Sequence, residues 1–501
     1  MPILVLIVNQ SLATGIFPSQ LKIAKVLPLY KKDNPHIFDN YRPISLLPVI
    51  SKIFEKVAFI QLYDYMIRNK LLYVSQYGFR QEHSTELASL EFTDRIMHHL
   101  DNKKIPITIF LDLSKAFDTL DHSILLDKLQ YYGVKNSALN WFSSYLSDRF
   151  QYVDYNGTMS SKLPLSTGVP QGSILGPLMF IIYMNDIYKV SDKFYSILYA
   201  DDTTLESPLC TFDISALNNK FNRDTLSENI NNELNLVYEW LCLNKLSLNI
   251  KKTKFMLFHN RQKNIESVIP KLTINNHNIE RVTDFNFLGL TIDQHMSWNN
   301  HINKISVKIT KTIGILSRLK RFLPQKILLM IYNSLIMPHI QYSILCWGYK
   351  NDRILKLQKR ALRLITNSKY NAHSEPLFKN LKCLKVCDLF KLKLLKFYYK
   401  LEKGEIPHYF QNMFTPVALT HNYSTRFRRL TDLPQSKTTT GSNCIRYTLP
   451  KHLTTTPACI KEKVATHSPQ GFSNYIKQYL LNQYNENCTI VNCYICNQVS
   501  A

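Results

Sequence analysis

The stretch Phe194 to Leu205, FYSILYADDTTL, carries two adjacent aspartates, Asp201 and Asp202, at the end of an apolar run. Apolar residues before the pair and Thr203-Thr204-Leu205 after it predict a β-hairpin with both carboxylates at its tip. Adjacent carboxylates repel unless something neutralises them, and a divalent cation does so. Mg²⁺ is bound by one or two carboxylates together with waters and substrate phosphates. For the pair taken alone, an exposed acidic turn is the alternative interpretation.

A third acid follows a second strand pattern. The run Ile105 to Leu113, IPITIFLDL, is typical of a buried strand and contains Asp112 near its end. A carboxylate at the end of a buried strand does little for stability but could meet Asp201 and Asp202. Asp118 and Asp121 lie in the turn beyond and are interpreted as helix caps or solvated acids.

A glycine-rich loop, GVPQGSILGP at 168–177, precedes an apolar helix predicted over 178–187. Its glycines would let a flat ligand approach the backbone closely, with Gln171 and Gly172 at the centre. Elsewhere, Ser84 is a predicted N-cap for a helix that runs to about His99. Asn156-Gly157 is the predicted turn of a hairpin within 151–168.

Near the amino terminus, an alternating strand pattern at 25–33 ends in Lys31 and Lys32, and Arg42 follows in NYRPIS. Arg42 precedes a proline, so extended backbone is predicted there. Guanidinium and ammonium groups bind phosphate oxygens, so the three residues could cradle a triphosphate. A solvated basic loop is an equally good interpretation of these residues alone.

The positive charge is concentrated in one part of the chain. The net charge is +24, and residues 301–400 contain 21 Lys and Arg but 3 Asp and Glu. Such an excess favours a polyanionic partner, nucleic acid before an anionic membrane surface. A helix predicted over 353–369 has an apolar face and an opposite face that bears Lys356, Lys359, Arg360 and Arg363. We interpret that face as a grip on a phosphate backbone, with a solvated helix face as the alternative.

Ten cysteines in 501 residues are too few for a disulfide scaffold, which predicts reduced thiols in an intracellular protein, nuclear or cytoplasmic. The start of the chain lacks signal-peptide features, and no apolar run approaches the roughly 20 residues of a spanning helix. Cys488, Cys493 and Cys496 suggest a zinc knuckle, but their spacing is not a standard one and no fourth ligand follows.

Seven ordered blocks carry a resemblance to a known family. They are NYRPIS, QYGFR with a following ST, FLDLSKAFD, GVPQGSILGP, YADD, LNKLSLNIKKTK and FLGLTID. In order and spacing the series closely resembles the reverse transcriptase of non-LTR, LINE-like retrotransposons of the jockey/CR1 group, over about residues 15–295. The resemblance implies an α+β right-hand polymerase with fingers, a ferredoxin-like palm with an antiparallel sheet, and a helical thumb. The implied domains are 1–295 (fingers and palm), 296–404 (basic thumb) and 405–501 (an extension of uncertain fold).

The same resemblance implies roles for individual residues. Asp112, Asp201 and Asp202 would bind two Mg²⁺ ions, or Mn²⁺ in their place, for transfer of dNTPs to a primer. Phe117 would be a steric gate against ribonucleotides. One of Lys251, Lys252 and Lys254 would protonate pyrophosphate, and Lys252 is taken as the nucleotide-binding lysine among them. The remaining implied positions are Lys31, Lys32, Arg42, Gln171 and Gly172 at the nucleotide and Phe287, Leu288 and Gly289 as primer grip.

The implied partners are an RNA template, a DNA primer or target and dNTPs, with no membrane. Family members of full length carry an endonuclease domain before the polymerase, and only a few dozen residues precede NYRPIS here. We therefore expect a truncated element or a fragmentary gene model, without that domain. A catalytically silent relic that binds nucleic acid through its basic thumb is the alternative to an active polymerase.

Overall fold

The computed structural model describes residues 2–207, 220–262, 265, 270–414 and 435–485. Cys488, Cys493 and Cys496 lie outside the described residues, so the structure does not test the zinc knuckle that their spacing disfavours. The helices are α1 Pro2–Thr14, α2 Val49–Arg68, α3 Thr85–Asp101, α4 His122–Tyr131, α5 Asn136–Leu146, α6 Leu175–Tyr183, α7 Lys220–Leu243, α8 Asn299–Leu319, α9 Gln325–Leu335, α10 Met337–Gln341, α11 Ile344–Trp347, α12 Asp352–Ile365, α13 Ser374–Asn380, α14 Val386–Glu402, α15 His408–Gln411, α16 Ile445–Thr455, α17 Ala458–Thr466 and α18 Pro469–Asn482.

The strands complete a mixed α+β architecture, as the sequence predicts. They are β1 Ile23–Tyr30, β2 Tyr41–Leu46, β3 Ile107–Leu111, β4 Arg149–Tyr155, β5 Thr158–Met159, β6 Leu163–Leu165, β7 Tyr195–Tyr199, β8 Asp202–Ser207, β9 Lys254–Leu257, β10 Thr273–Ile274, β11 His277–Asn278, β12 Glu280–Arg281, β13 Asp284–Phe287 and β14 Leu290–Asp293. An amino-terminal sheet has the order β2-β1-β4-β5, with β6 beside β4, and a central sheet has the order β12-β9-β3-β8-β7.

The central sheet is buried on both faces because its strands alternate between two apolar cores. Ile109 and Leu111 of β3 enter a core shared with α2, α4, α5, α6 and α7. Phe110, on the opposite face, enters a core shared with α3 and the helices that follow residue 299. Strand β3 pairs antiparallel with both β8 and β9, so it is the centre of the sheet.

The local signals explain where several elements begin. Ser84 Oγ accepts the N–H of Leu87 at 3.2 Å, which confirms the predicted cap of α3. Asp121 accepts the N–H groups of Ser123 and Ile124 at the start of α4, which confirms its interpretation as a cap. Asn156 and Gly157 have positive φ values of 51° and 85° between β4 and β5, as the predicted hairpin turn requires.

The helices after residue 435 are attached to the body of the protein through α3. Arg446 Nη2 lies 2.5 Å from the buried Asp94 carboxylate. Asp101, at the end of α3, accepts the N–H groups of Lys437 and Thr438 at 2.9 and 2.7 Å. Helix α18 packs against α14. None of the helices that the structure describes is long and apolar enough to span a bilayer.

Candidate active site

The register of the central sheet brings the three predicted acids to one edge. Leu111, the last residue of β3, pairs with Thr203 of β8, so Asp112, which follows the strand, lies at the same sheet edge as Asp202, the first residue of β8. Tyr199 pairs with Asp202 across the β7–β8 hairpin, which leaves Ala200 and Asp201 as its two-residue turn. Ala200 has φ +55°, the conformation that a hairpin of this length needs at its first turn position. The predicted acidic hairpin tip is therefore present.

The three carboxylates act on one another electrostatically. Desolvation by surrounding protein atoms, then the charges of Asp201 and Asp112, raise the pKa of Asp202 to about 6, and Lys31 opposes them. The side chains of Asp201 and Asp202 nevertheless stay exposed to solvent. A group of like charges that stays open to solvent can be neutralised by a bound cation.

Among Lys251, Lys252 and Lys254, the structure separates the candidates for a general acid. Lys252 Nζ lies 3.7 Å from Asp112 Oδ2 and its side chain is exposed. Lys254 Nζ instead pairs with Glu280 at 2.6 Å and donates to the Lys251 carbonyl at 2.7 Å. Of Lys252 and Lys254, Lys252 is therefore the lysine that faces Asp112.

The three acids offer carboxylate oxygens, the type of donor atom that Mg²⁺ binds. Within the described part of the chain, no three His, Cys, Asp or Glu side chains form a group that could hold a metal ion alone. Mg²⁺ does not require such a group, because it keeps several waters and takes its other oxygens from phosphates. Hard carboxylate oxygens are the donors that it prefers.

The glycine-rich loop packs against both the segment after Asp112 and strand β2. Gln171 Nε2 donates to Asp118 Oδ1 at 2.9 Å, and the Ser45 N–H donates to the Gln171 carbonyl at 2.7 Å. A Cβ on Gly172, whose φ is +128°, would lie 2.6 Å from the Ser45 carbonyl oxygen. Desolvation raises the pKa of Asp118, which the hydrogen bond from Gln171 opposes. Asp118 is thus neither a cap nor a solvated acid, because it holds the loop.

Phe117 is fixed from two sides. Its ring stacks on Phe180 of α6 at a centroid distance of 4.3 Å and meets Phe79 edge-on at 6.2 Å. Phe180 is fully buried, while Phe117 is half-buried. An aromatic ring held in this way keeps one orientation at the surface of the site.

The amino-terminal cations lie in the loop that follows β1 and on β2. Lys31, Lys32 and Arg42 are all exposed, and Arg42 pairs in register with Leu29, so its extended backbone is as predicted. Lys32 forms a weak surface pair with Asp33 at 3.7 Å. Of the three, Lys31 is the one whose charge reaches Asp202.

The predicted primer grip is the turn between β13 and β14. Leu288 and Gly289 have φ values of +45° and +85°, and the Tyr342 hydroxyl donates to the Leu288 carbonyl. Phe287, in contrast, is buried with its ring 4.7 Å from that of Phe92. Its side chain serves the core, which leaves the Leu288–Gly289 backbone as the accessible part.

The basic helix α12 has an apolar and a charged face, as predicted, but its four cations differ. Lys356 and Arg360 are exposed, whereas Lys359 and Arg363 are half-buried. Arg363 Nε donates to the Ala372 carbonyl at 2.9 Å, so this side chain holds the following loop. On the apolar face, Leu357 and Leu364 are only half-buried, and Gln358 and Leu362 are buried in the core.

One segment at the acidic turn has no role in the sequence analysis beyond its place in the QYGFR block. Gln76 and Gly78 lie directly beneath Ala200, and both are buried. Neither residue stands out in the sequence. Gly78 has no turn-forming neighbour, and hydrophobic periodicity does not mark a buried glutamine such as Gln76.

Comparisons with known proteins agree with the resemblance. The family profile described as "Reverse transcriptase (RNA-dependent DNA polymerase)" matches residues 30–292. The "Probable RNA-directed DNA polymerase from transposon BS" of Drosophila melanogaster is 28% identical over 401 residues, which are 75% of this chain and 42% of that protein. The "RNA-directed DNA polymerase from mobile element jockey" of the same species is 27% identical, over 77% of this chain and 42% of that protein. This chain thus spans less than half the length of these relatives.

Among solved structures, apo telomerase from Candida tropicalis gives a TM-score of 0.38 at 14% identity, over 74% of this chain and 63% of that one. Telomerase from Candida albicans gives 0.36 at 11% identity, over 73% and 62%. The family profile covers more than half of this chain, and the sequence relatives are the jockey-type elements that the motifs predict. The chain belongs to the reverse transcriptase (RNA-dependent DNA polymerase) family.

Proposed function

We propose that this chain is an RNA-directed DNA polymerase of a non-LTR retrotransposon, which extends a primer 3′-hydroxyl with dNTPs on an RNA or DNA template. The observation that carries the proposal is the β3–β8 register, which brings Asp112 and Asp202 to one sheet edge beside the Ala200–Asp201 turn. Three acids at one sheet edge, of which Asp201 and Asp202 are exposed and Asp112 is half-buried, are costly for a fold but useful for binding cations beside phosphates.

The arrangement of elements supports a right-hand layout. Strands β9-β3-β8-β7 with their connecting helices have the order of a ferredoxin-like sheet, which would be the palm. The amino-terminal sheet would be the fingers, and the basic helices from α8 to α14 the thumb. Template RNA, a DNA primer or target, and dNTP would then meet at the edge that carries the acids.

In this proposal Asp112, Asp201 and Asp202 bind two Mg²⁺ ions, with Mn²⁺ as a substitute. When bound, the ions stabilise both the attacking and the leaving oxygen. The protein's own work is positioning and charge neutralisation. Lys252, 3.7 Å from Asp112, is suited to donate a proton to the pyrophosphate that leaves.

Other side chains would orient the nucleotide. Lys31 and Arg42 would hold the triphosphate through charge-assisted hydrogen bonds, with Lys32 at the periphery. The Gln171–Gly172 backbone would support the base and sugar, because the Gln171 amide is bound to Asp118. The Phe117 ring, stacked on Phe180, would exclude a ribose 2′-hydroxyl.

The test is primer extension on an RNA template with Mg²⁺ and dNTPs. Wild type is compared with the double variant Asp201→Asn/Asp202→Asn and with Asp64→Asn, which alters an exposed acid on α2. We expect synthesis to be lost in the double variant and kept in the control, with both variants binding RNA and melting like wild type. A folded wild type that binds RNA without synthesising DNA would refute the polymerase and favour the silent relic.

A further inference from the structure

We propose that Gln76 and Gly78 are positioning residues that set the conformation of the Ala200–Asp201 turn. The proposal deepens the polymerase function and rests on it for its effect on catalysis. The two residues are not proposed to contact the substrate. They act through the backbone that carries the aspartates.

The segment Ser75–Gly78 is bound to the outer edge of β7. The Tyr77 N–H donates to the Leu198 carbonyl at 2.7 Å, and the Leu198 N–H donates to the Ser75 carbonyl at 3.0 Å. This is a short parallel bridge, and it ends directly beside the turn that begins after Tyr199. The segment therefore lies against the last residues before the aspartates.

Gln76 extends this contact into the turn itself. Its side chain is fully buried, and its Oε1 accepts the N–H of Gly78 at 2.9 Å and the N–H of Ala200 at 3.4 Å. Two backbone donors on one oxygen fix the orientation of the amide, whose Nε2 has no partner in the described part of the chain. Ala200 has φ +55°, a conformation that is strained for a non-glycine residue and persists only where its surroundings hold it.

Gly78 determines how closely the two backbones approach. A Cβ at this position would lie 2.4 Å from the Ala200 nitrogen and 3.1 Å from its Cα. The φ of Gly78 is not in the left-handed region, so close approach alone requires glycine here. Any side chain would displace the turn and, with it, Asp201.

A buried carboxylate holds the segment in place from below. Glu91 of α3 accepts hydrogen bonds from Tyr195 at 2.6 Å, from Ser75 at 3.1 Å and from the Tyr77 hydroxyl. Ser75 and Tyr77 flank Gln76, so the segment cannot slide along β7 without breaking these bonds. The turn is thus shaped by a fixed surface.

The experiment uses variants that differ in one property at a time. Gly78→Ala pushes the turn, Gln76→Met removes the acceptor at similar volume, and Gln76→Glu keeps an acceptor oxygen. Gly314→Ala on α8 is the matched control, because its Cβ would meet nothing within 4 Å. Each is measured as the full chain by primer extension, with the active fraction titrated.

We expect Gly78→Ala and Gln76→Met to lower kcat per active site about 100-fold, as a displacement near 1 Å does. The Kd for primer–template and the KM for dNTP should stay within about twofold, and Gln76→Glu should recover most of the loss. A merely structural role would instead lower the melting temperature and active fraction at unchanged kcat. Wild-type kcat in both Gly78→Ala and Gln76→Met overturns the proposal, as does a Gln76→Glu variant as slow as Gln76→Met.

A second readout separates this proposal from the polymerase function. Tyr199, next to the acidic turn, can sensitise the luminescence of bound Tb³⁺. The part of the luminescence that is lost in Asp201→Asn/Asp202→Asn is the signal from this site. Weaker Tb³⁺ binding by Gly78→Ala and Gln76→Met, measured without nucleotide, supports the positioning role. It does so even if wild type makes no DNA, a result that would refute only the polymerase function. If wild type makes no DNA, an unchanged Tb³⁺ concentration at half-saturation in both variants overturns the positioning role. If wild type makes DNA, the kcat comparison decides whether the positioning role holds.

Discussion

Two groups of acids adjoin the central sheet, and they differ in what neutralises them. On the α3 side, Asp94 is paired with Arg446 at 2.5 Å, and the buried Glu206 of β8 is paired with Arg95 and His99 at 2.5 and 2.9 Å. At the turn edge, Asp202 is exposed and Asp112 half-buried, their charges act on each other, and Lys252 Nζ lies 3.7 Å from Asp112.

The difference teaches which charges serve the fold. A buried charge persists only when the protein supplies its partner, so removing the partner is costly. The acids at the turn edge have only exposed cations near them, such as Lys252, and pairs of that kind add little to stability, which leaves the acids available to a ligand.

Arg446→Met should destabilise the protein most, by about 3–5 kcal/mol, because it leaves the fully buried Asp94 carboxylate without its cation. Urea unfolding measures the loss. Asp112→Asn should leave stability within about 1 kcal/mol while it abolishes DNA synthesis. Lys115→Met, which breaks an exposed pair with Asp39, is the control for charge loss. Equal destabilisation by Arg446→Met and Lys115→Met would remove the contrast.

His301 extends the contrast to a buried group that stays neutral. Its Nδ1 accepts the Thr291 N–H at 3.2 Å, and burial followed by Lys304 and Lys308 lowers its pKa to about 4. The unfolded chain, with a His pKa near 6.5, therefore binds the proton first as pH falls. Stability should be complete above pH 6.5 and decline from there towards pH 4, by about 3 kcal/mol at most.

The measurement is urea unfolding at pH 7.5 and pH 5 for wild type and His301→Gln. The variant should lose part of the pH dependence, whereas His277→Gln, at an exposed position, should retain it. An unchanged dependence in His301→Gln would show that other groups cause it.

Phe117→Val tests how the site selects its nucleotide rather than the charge of the site. Loss of the ring stacked on Phe180 should reduce discrimination against ribonucleotides about 10- to 100-fold, with dNTP use largely retained. The ratio of kcat/KM for dNTP and rNTP measures it. Phe79→Val, which removes only the edge-on contact, should have a smaller effect. An unchanged ratio in Phe117→Val would exclude the gate.

The smallest effect is expected on α12, where exposed cations can be compared with a cation that is hydrogen-bonded within the protein. Lys356→Gln/Arg360→Gln removes two exposed charges and should lower the salt slope of RNA binding by about 1.4. Arg363→Gln should change the slope little, because its guanidinium is bound to the Ala372 carbonyl. Filter binding between 50 and 200 mM salt compares them. Equal changes in both variants would mean that the internal hydrogen bond does not matter.

Much of the fold follows from local signals. The Ser84 cap, the Asn156-Gly157 turn and the apolar run of β3 each determine an element through interactions within a few residues. The acidic turn was predictable for the same reason, since its hairpin is local. The individual roles of the predicted site residues stay predictions.

Other features depend on distant contacts and could not be predicted. The weak periodicity after residue 405 gave no hint that α16 lies against α3, where Arg446 meets Asp94 across 352 residues of sequence. Helical periodicity likewise placed Arg363 beside Lys356 and Arg360, although the carbonyl of Ala372 binds it.

Composition, motif order and spacing along the chain were enough to predict the α+β class, the family and which three acids would meet at one sheet edge. The packing of distant segments was needed to show that Lys252 rather than Lys254 faces Asp112, and that Gly78 lies beneath Ala200. The physical reason is that distances between separate segments are set by strand register and packing. A pattern along one segment does not contain them.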